Sequence, residues 1–211
     1  MTLMRGKTFK QLWPLGWSYL RQRFLPLPAS APRRLHLGCG RRRAEGWTNV
    51  DICFSPATDF MDDVRNLGRV PTGWADEVYA CHVLEHFDFA ECKRVLATWT
   101  RVLKPGGLLR ISVPDMDRIT AIYQRNLPHF HTPGHEPWSG LIYGGQESRY
   151  DYHKNGFNFT SLKHSLEGLG YTDVREYPHE PHFIQGMMDG SLAQEPFGEM
   201  ISLNVAARRG A

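Results

Sequence analysis

The chain has 211 residues, of which 41% are apolar, which is enough for one α/β domain with a core but not for two ordinary domains. The net charge is only +3, so no nucleic-acid partner is expected, and no apolar run approaches the roughly 18 residues that a membrane span requires. The four cysteines lack paired spacing and no secretory leader is evident, which predicts reduced thiols in a cytoplasmic protein.

Residues 1–28 form a basic, aromatic-rich segment, predicted as an appendage to a domain over 29–211. Residues 1–34 carry seven cations and no acid, so the rest of the chain has a net charge of −4. Pro14 and Gly16 are expected to interrupt any helix there. Two interpretations stay open: a helix packed on the domain with its cations in water, or an anchor on an anionic membrane surface at the inner face of the membrane.

A glycine turn, Gly38-Cys39-Gly40, follows a short apolar run, and a second short run ends on Asp51. This pattern predicts a cofactor site in which backbone N–H groups meet an anionic end and the carboxylate accepts ribose hydroxyls. A dinucleotide site would need a third glycine where Arg43 stands and an acid about 20 residues on. Asp51 lies only 13 residues after Gly38, so NAD is not expected.

Near-continuous apolar runs predict strands buried on both faces, as in a parallel sheet covered by helices, at Arg34–Leu37, Trp47–Asp51, Glu77–Cys81 and Leu108–Val113. Helical periodicity predicts a helix over Asp88–Leu103, with Asp88 and Glu91 in the pattern of a capping box. A second helix is predicted from near Thr160 to Gly168 or Gly170.

Residues 128–160 contain seven aromatic residues and four histidines, interspersed with glycines and prolines. Such a segment is too polar for a core and too aromatic for an ordinary loop. It is either an irregular packed loop over the sheet edge or a loop that covers a functional site.

These segments together resemble the class I S-adenosylmethionine (SAM)-dependent methyltransferases. The segments that carry the resemblance, in order, are the glycine turn with Asp51, the adenine-loop-like Asp62-Asp63-Val64, the fourth-strand-like run 75–80, the run 102–113 and the closing run Met200–Arg209. The resemblance covers roughly 33–118 and the closing run, and implies a Rossmann-like, seven-stranded, mostly parallel sheet whose last strand is antiparallel. The chain departs from the family between its first two strands, where about ten residues leave room for one helical turn at most.

The resemblance also implies roles for individual residues. Gly38 and Gly40 permit close approach of the backbone to the amino-acid end of SAM, and a side chain at either is expected to clash. Asp51 takes the ribose hydroxyls and Asp63 the adenine amine, with the Val64 N–H offered to the ring, while Asp62 stays open as an alternative and both acids could instead form a solvated turn. The remaining predicted cofactor contacts are Cys39 and Cys81.

A hydroxyl acceptor needs a general base, and three candidates lie at predicted strand ends or in the cover. His82 follows the fourth strand, where it could also cap the next helix; His153 lies in the segment 128–160, which the family resemblance implies is an acceptor lid; Asp115 follows the fifth strand. His82 to His86 also spells the inverted zincin pattern H-x-x-E-H. It starts at the end of a buried strand, so we read it as a turn into a helix and expect no metal.

The stretches Gly144-Gly145-Gln146 and 153–157 (H-K-x-G-F) resemble small proteins that share both halves of this pattern, many of which look like companions of bacterial surface-glycan assembly. This resemblance implies a sugar hydroxyl of a glycan or lipid-linked glycan as the acceptor. Lid aromatics that stack on a sugar face are compatible with that acceptor. The alternatives are a small-molecule methyltransferase with an aromatic or amine acceptor and a non-catalytic, cofactor-binding interaction module. Intact Gly38, Gly40, Asp51 and Asp63 disfavour the last of these.

Overall fold

A computed structural model describes residues 9–126, 137–178 and 200–211. For residues 9–16 and 137–139 it describes the backbone alone. The described chain contains seven strands: β1 (Arg34–Leu37), β2 (Thr48–Asp51), β3 (Phe60–Met61), β4 (Ala75–Cys81), β5 (Leu103–Pro114), β6 (Tyr171–Glu176) and β7 (Ser202–Arg209). All four predicted inner strands and the closing strand are confirmed, with β4 and β5 longer than expected.

The strands form one sheet in the order β3-β2-β1-β4-β5-β7-β6. The pairs from β3 to β5 are parallel, and β7 runs antiparallel to both β5 and β6. The predicted mostly parallel sheet with an antiparallel last strand is confirmed. Because β1, β2 and β4 are parallel neighbours, their carboxyl ends meet at one edge of the sheet.

The described helices are α1 (Phe9–Phe24), α2 (Phe89–Val102), α3 (Met116–Arg125), α4 (Pro137–Tyr143) and α5 (Phe159–Glu167), with a short 3-10 helix at Leu84–His86. The helical periodicity of α2 places Trp99, which is fully buried, against the sheet, and its indole N–H donates to the Val64 carbonyl at 3.0 Å. Asp88 caps α2 by accepting from the Glu91 N–H, so half of the predicted capping box forms.

The helix α1 runs through Pro14 and Gly16, so the expectation of an interrupted helix is wrong. A proline removes one hydrogen-bond donor and a glycine removes none, so both weaken a helix without ending it. Tertiary contact holds the last turns: Gln22 is 2% exposed, and its side-chain amide donates to the Ser55 carbonyl at 3.4 Å. Arg69 in turn donates to the carbonyls of Gln22 and Leu25.

The segment between β1 and β2 contains turns and no helix, as its length predicted. It places Gly38 directly after β1 and Asp51 at the last position of β2, so both stand at the shared carboxyl edge. Within the described ranges, no helix combines the length and the apolar character that crossing a membrane would require.

Candidate functional site

A cleft of about 750 Å³ opens at the carboxyl ends of β1, β2 and β4. This volume lies within the range of sites that hold small molecules and cofactors. The cleft is lined by residues that the sequence analysis predicted, Gly38, Gly40, Asp51, Asp63, Val64 and His82. It is also lined by residues that were not predicted, among them Val83, His86, Glu91, Arg149 and Tyr150.

The glycine turn forms one wall of the cleft, and both of its glycines have positive φ, +65° at Gly38 and +56° at Gly40. A Cβ added at Gly38 would overlap Cγ2 of Val83. The expected clash at Gly40 is not found within the protein, because a Cβ there would meet open space on the cleft side. Glycine is therefore required at Gly38 by sterics as well as by backbone conformation.

Asp51 joins the glycine turn to the end of β2. Its Oδ2 accepts from the Gly40 N–H at 2.8 Å, and its Oδ1 accepts from the Cys53 N–H at 2.7 Å. A carboxylate offers about four lone-pair sites, so two remain for a ligand. The side chain is partly exposed and lines the cleft, where it can accept two further hydrogen bonds.

The two neighbouring acids Asp62 and Asp63 have different surroundings in the structure. Asp63 lines the cleft and forms a bidentate pair with Arg65, with distances of 2.9 and 2.6 Å to its Oδ2. Burial raises the pKa of Asp63, but hydrogen bonds from Arg65 outweigh it and the net shift is downward, which keeps the group ionised. Both Asp62 oxygens accept backbone N–H groups, from Asp63 and Arg69. Of the two acids, Asp63 is therefore the one whose side chain faces the cleft.

Three predicted site residues, Cys39, Cys81 and Asp115, do not line the cleft, and neither does His153, which is described below. Cys39 is buried, and burial raises the pKa of its thiol to about 12. Cys81 packs on the side of the sheet where Trp47 and Tyr79 lie. Asp115 caps α3 through the N–H groups of Asp117 and Arg118 and forms an ion pair with Arg118. Each of these side chains follows a strand end but points away from the carboxyl edge or into local structure.

Comparisons with known proteins agree with this geometry. A family model described as "Methyltransferase domain" matches residues 55–111, which include β3, β4 and α2. A SAM-dependent methyltransferase from Archaeoglobus fulgidus is 15% identical, with 95% of this chain and 92% of that chain covered and a TM-score of 0.52. No curated protein sequence matches the chain.

Two further solved structures share the fold. A 1,6-didemethyltoxoflavin-N1-methyltransferase from Burkholderia thailandensis, solved with that substrate and S-adenosylhomocysteine, is 16% identical over 84% of this chain and 71% of its own, with a TM-score of 0.51. The CurJ carbon methyltransferase is 18% identical over 88% of this chain, at a TM-score of 0.51, and this chain spans 50% of its length. Residues 55–111 thus match a methyltransferase domain, and the described chain has the fold of SAM-dependent methyltransferases.

The cleft of the methyltransferase fits SAM by its own residues. The space at the glycine turn admits no side chain at Gly38, and the spare lone pairs of Asp51 suit the two ribose hydroxyls. Asp63 also lines the cleft, but both of its oxygens already accept from Arg65, so it would share them with the adenine amine. Bound SAM supplies a methyl group already activated on a sulfonium, so the protein has to align it with an acceptor.

Histidines and a carboxylate meet at the inner end of the cleft of the methyltransferase. His82 Nδ1 lies 3.1 Å from Glu85 Oε1, and His82 Nε2 lies 2.8 Å from the Ser202 hydroxyl. Burial raises the pKa of Glu85, but His82 and His86 outweigh it and the net shift is downward. His153 does not line the cleft; it lies behind His86, at 5.1 Å between ring centroids, and burial lowers its pKa.

The sequence analysis did not single out several residues of this site. Val83, His86, Arg149 and Tyr150 line the cleft, and Glu85 lies behind its surface, in contact with His82. The signal for Glu85 and His86 was the H-x-x-E-H pattern, which we read only as a turn. The predicted lid falls in part outside the described residues, but its stretch 148–150 does reach the cleft.

Proposed function

We propose that the methyltransferase transfers the methyl group of SAM to a hydroxyl oxygen, and that this hydroxyl belongs to a sugar of a glycan or lipid-linked glycan. The observation that carries the proposal is the imidazole and carboxylate group at the inner end of the cleft, formed by His82, Glu85 and His86. A neutral amine can attack without losing a proton first, whereas a hydroxyl requires a base or an equivalent activation.

The proposed step is a single displacement. The acceptor oxygen forms a bond to the methyl carbon while the carbon–sulfur bond breaks and its electron pair stays on sulfur. The acceptor proton passes to His82 Nε2, for which the acceptor hydroxyl replaces the Ser202 hydroxyl as partner, while Nδ1 stays at Glu85 and orients the ring. Glu85 stabilises the imidazolium that forms, because the two groups are 3.1 Å apart.

Exposed tyrosines beside the cleft support a sugar acceptor. Tyr143, Tyr150 and Tyr152 are 57%, 43% and 44% exposed, and Tyr150 lines the cleft itself. Aromatic rings offer flat apolar faces, while their hydroxyls hydrogen-bond to polar groups. A ring face next to polar side chains such as Arg149 and Lys154 suits a carbohydrate better than a flat aromatic acceptor, which would favour apolar surroundings.

The acceptor class is tested with SAM that carries a labelled methyl group. The purified full chain is incubated with the glycolipid fraction of bacterial membranes, and separately with primary amines and with catechols. We expect label in a methyl ether on a sugar ring, located by fragmentation in mass spectrometry, and no transfer by the Asp51→Ala variant. Label on an amine or a catechol would contradict the sugar hydroxyl, and absence of S-adenosylhomocysteine formation with every fraction would support the non-catalytic module.

We further propose that α1 holds the enzyme at an anionic membrane surface, on the inner face of the membrane. Trp17, Leu20 and Phe24 recur at i, i+3 and i+7 on the helix face opposite Gln22, and the two aromatic residues are 62% and 66% exposed. Arg21 and Arg23 are exposed on the same helix. Apolar rings beside cations are what an anionic lipid surface attracts, at about 1 kcal/mol per cation near the surface.

We expect the full chain to sediment with anionic vesicles at low salt and to be released in part as salt rises, because the screening length falls to roughly 8 Å at physiological ionic strength. The Trp17→Ala/Phe24→Ala double variant should lose the salt-resistant fraction, and Arg21→Gln/Arg23→Gln the salt-sensitive one. Phe89→Ala is the matched control, since Phe89 is 80% exposed on α2. Equal sedimentation of all variants would mean that α1 only packs on the domain.

A further inference from the structure

Three potential metal ligands meet at the inner end of the cofactor cleft. One ligand atom each from Glu85, His86 and His153 lies within 4.8 Å of the others. Glu85 and His86 belong to the 3-10 helix after β4, and His153 comes from the segment after α4, 67 positions further along the chain than His86. Only tertiary structure brings the third group to the other two.

Backbone hydrogen bonds hold this arrangement in place. The N–H groups of Lys154 and Asn155 both donate to the Glu85 carbonyl, at 2.8 and 3.2 Å, and the His153 N–H donates to the Tyr143 carbonyl at 3.0 Å. The segment around His153 is therefore fastened to the 3-10 helix on one side and to the end of α4 on the other. The three side chains meet because the backbone is fixed on both sides, which is the preorganisation that a binding site requires.

The carboxylate of Glu85 is the second observation that points to a ligand. The side chain is 1% exposed, and among the described residues neither of its oxygens has a hydrogen-bond partner. Its Oε1 lies 3.1 Å from His82 Nδ1, a contact that is an ion pair only when the imidazole is protonated. A buried carboxylate ordinarily has hydrogen bonds or coordinates a metal, so Oε2, which has no hydrogen-bond partner among the described residues, is available to a cation.

The imidazoles are oriented as metal ligands are. His86 Nδ1 lies 3.2 Å from the Tyr152 carbonyl, to which it can only donate, so its Nε2 keeps a lone pair. Burial lowers the pKa of His153, and it outweighs the Leu141 backbone, which favours the protonated ring. A second ring nitrogen that donates to a backbone carbonyl is the usual support of a histidine that binds a metal.

We propose that Glu85, His86 and His153 bind one divalent transition-metal ion of the zinc and cobalt class. Two imidazoles and one carboxylate suit such an ion, whereas magnesium and calcium prefer oxygen ligands. Neighbouring ligands in a tetrahedral zinc site lie about 3.4 Å apart, so atoms that stand at most 4.8 Å apart would need to approach by no more than about 1.4 Å. The expectation of no metal, drawn from the sequence, is replaced by this proposal.

If the proposed function is correct, the position of the ion next to the cleft allows it to take part in the methyl transfer. Of the three ligands only His86 lines the cleft, beside His82, so the ion would lie at the wall of the cleft next to the proposed base. An ion held by three protein ligands keeps an open position, which an acceptor hydroxyl can occupy. Coordination would orient that oxygen and lower its pKa, so that its proton passes to His82 more readily.

The test starts from full-length protein freed of metal by a chelator and titrated with Co²⁺, followed by calorimetry and by visible absorption. We expect one Co²⁺ per chain, with bands of nitrogen and oxygen coordination, and displacement by Zn²⁺. His86→Asn, His153→Asn and Glu85→Gln should each weaken binding at least tenfold. His164→Asn is the matched control, because His164 is exposed on α5 away from the cleft, and it should bind as the wild type does.

Folding of the variants is checked by thermal unfolding without metal. Metal-free Glu85→Gln keeps the volume of the side chain and an acceptor oxygen beside His82, so it should unfold cooperatively as the wild type does, which separates loss of binding from loss of folding. Co²⁺ should raise the unfolding temperature of the wild type and not that of Glu85→Gln. Absence of binding by folded wild type, or equal binding by all variants, would overturn the metal site.

Binding is measured without SAM and without acceptor, so this result does not depend on the proposed function. If sugar methylation fails while Co²⁺ binds through the three residues, the site stands and the acceptor is wrong. If metal-free protein methylates a sugar hydroxyl at the wild-type rate, the proposed function stands and the role of the ion is overturned.

Discussion

Replacing Asp51 with alanine should weaken the binding of SAM or S-adenosylhomocysteine more than about tenfold. The carboxylate accepts from the Gly40 N–H and the Cys53 N–H and has capacity for two ribose hydroxyls. Each charge-assisted hydrogen bond to a ligand contributes about 1.5 to 3 kcal/mol, and every 1.4 kcal/mol is about tenfold in affinity. The variant therefore loses ligand contacts and the support of the glycine turn together.

Calorimetric titration of S-adenosylhomocysteine measures this loss. Asp51→Asn keeps one acceptor oxygen and should give an intermediate affinity. Glu167→Ala removes an exposed carboxylate on α5, far from the cleft, and should leave the dissociation constant unchanged. An unchanged dissociation constant in folded Asp51→Ala would show that Asp51 holds only the turn and not the ribose.

The second large effect is expected for Gly38→Ala, which should impair both stability and cofactor binding. The added Cβ overlaps Cγ2 of Val83, and φ at this position is +65°. A left-handed conformation costs an ordinary residue about 1 to 2 kcal/mol, and displacing a well-packed side chain adds about 1 to 3 kcal/mol. Val83 is 8% exposed and lines the cleft, so its displacement also changes the cofactor wall.

Gly40→Ala separates the two causes, since φ is +56° there and a Cβ meets open space. Its free energy of unfolding should fall by the conformational cost alone, about 1 kcal/mol. The double variant Gly38→Ala/Val83→Ala should recover part of the loss of Gly38→Ala, because the overlap is relieved while the backbone strain stays. Equal destabilisation by Gly38→Ala and Gly40→Ala in denaturant unfolding would contradict a steric role for Val83.

Much of the fold could be predicted because local patterns agree with the global arrangement. The strand at Arg34–Leu37 was predicted at its observed bounds, and α2 was predicted within one residue at each end. Buried parallel strands and a strongly amphipathic helix leave clear signals, since both faces or one stripe must be apolar. The uninterrupted α1 was missed because Pro14 and Gly16 are local signals, whereas the helix is held by the tertiary contacts of Gln22.

The residues that bind the cofactor could also be predicted in part from the sequence. Gly38, Asp51 and Asp63 stand where strands end in the sequence, and parallel neighbours bring those ends together. Sequence position alone could not tell which side chains turn toward the cleft. Cys81 and His82 are consecutive, yet one packs against the sheet and the other lines the cleft, because His82 adopts a φ of +52° directly after β4.

The sequence by itself determined the four inner strands and the closing strand, the helix α2, the glycine turn and the carboxylate at the end of β2, and so predicted a site for a sulfur nucleoside. Each of these features depends on residues that are close together in the sequence, and their spacing and polarity decide the local geometry. Only the tertiary structure decided that His153 comes to Glu85 and His86. That encounter depends on two backbone hydrogen bonds to the Glu85 carbonyl from a segment almost 70 residues away, and no local pattern encodes a contact of that separation.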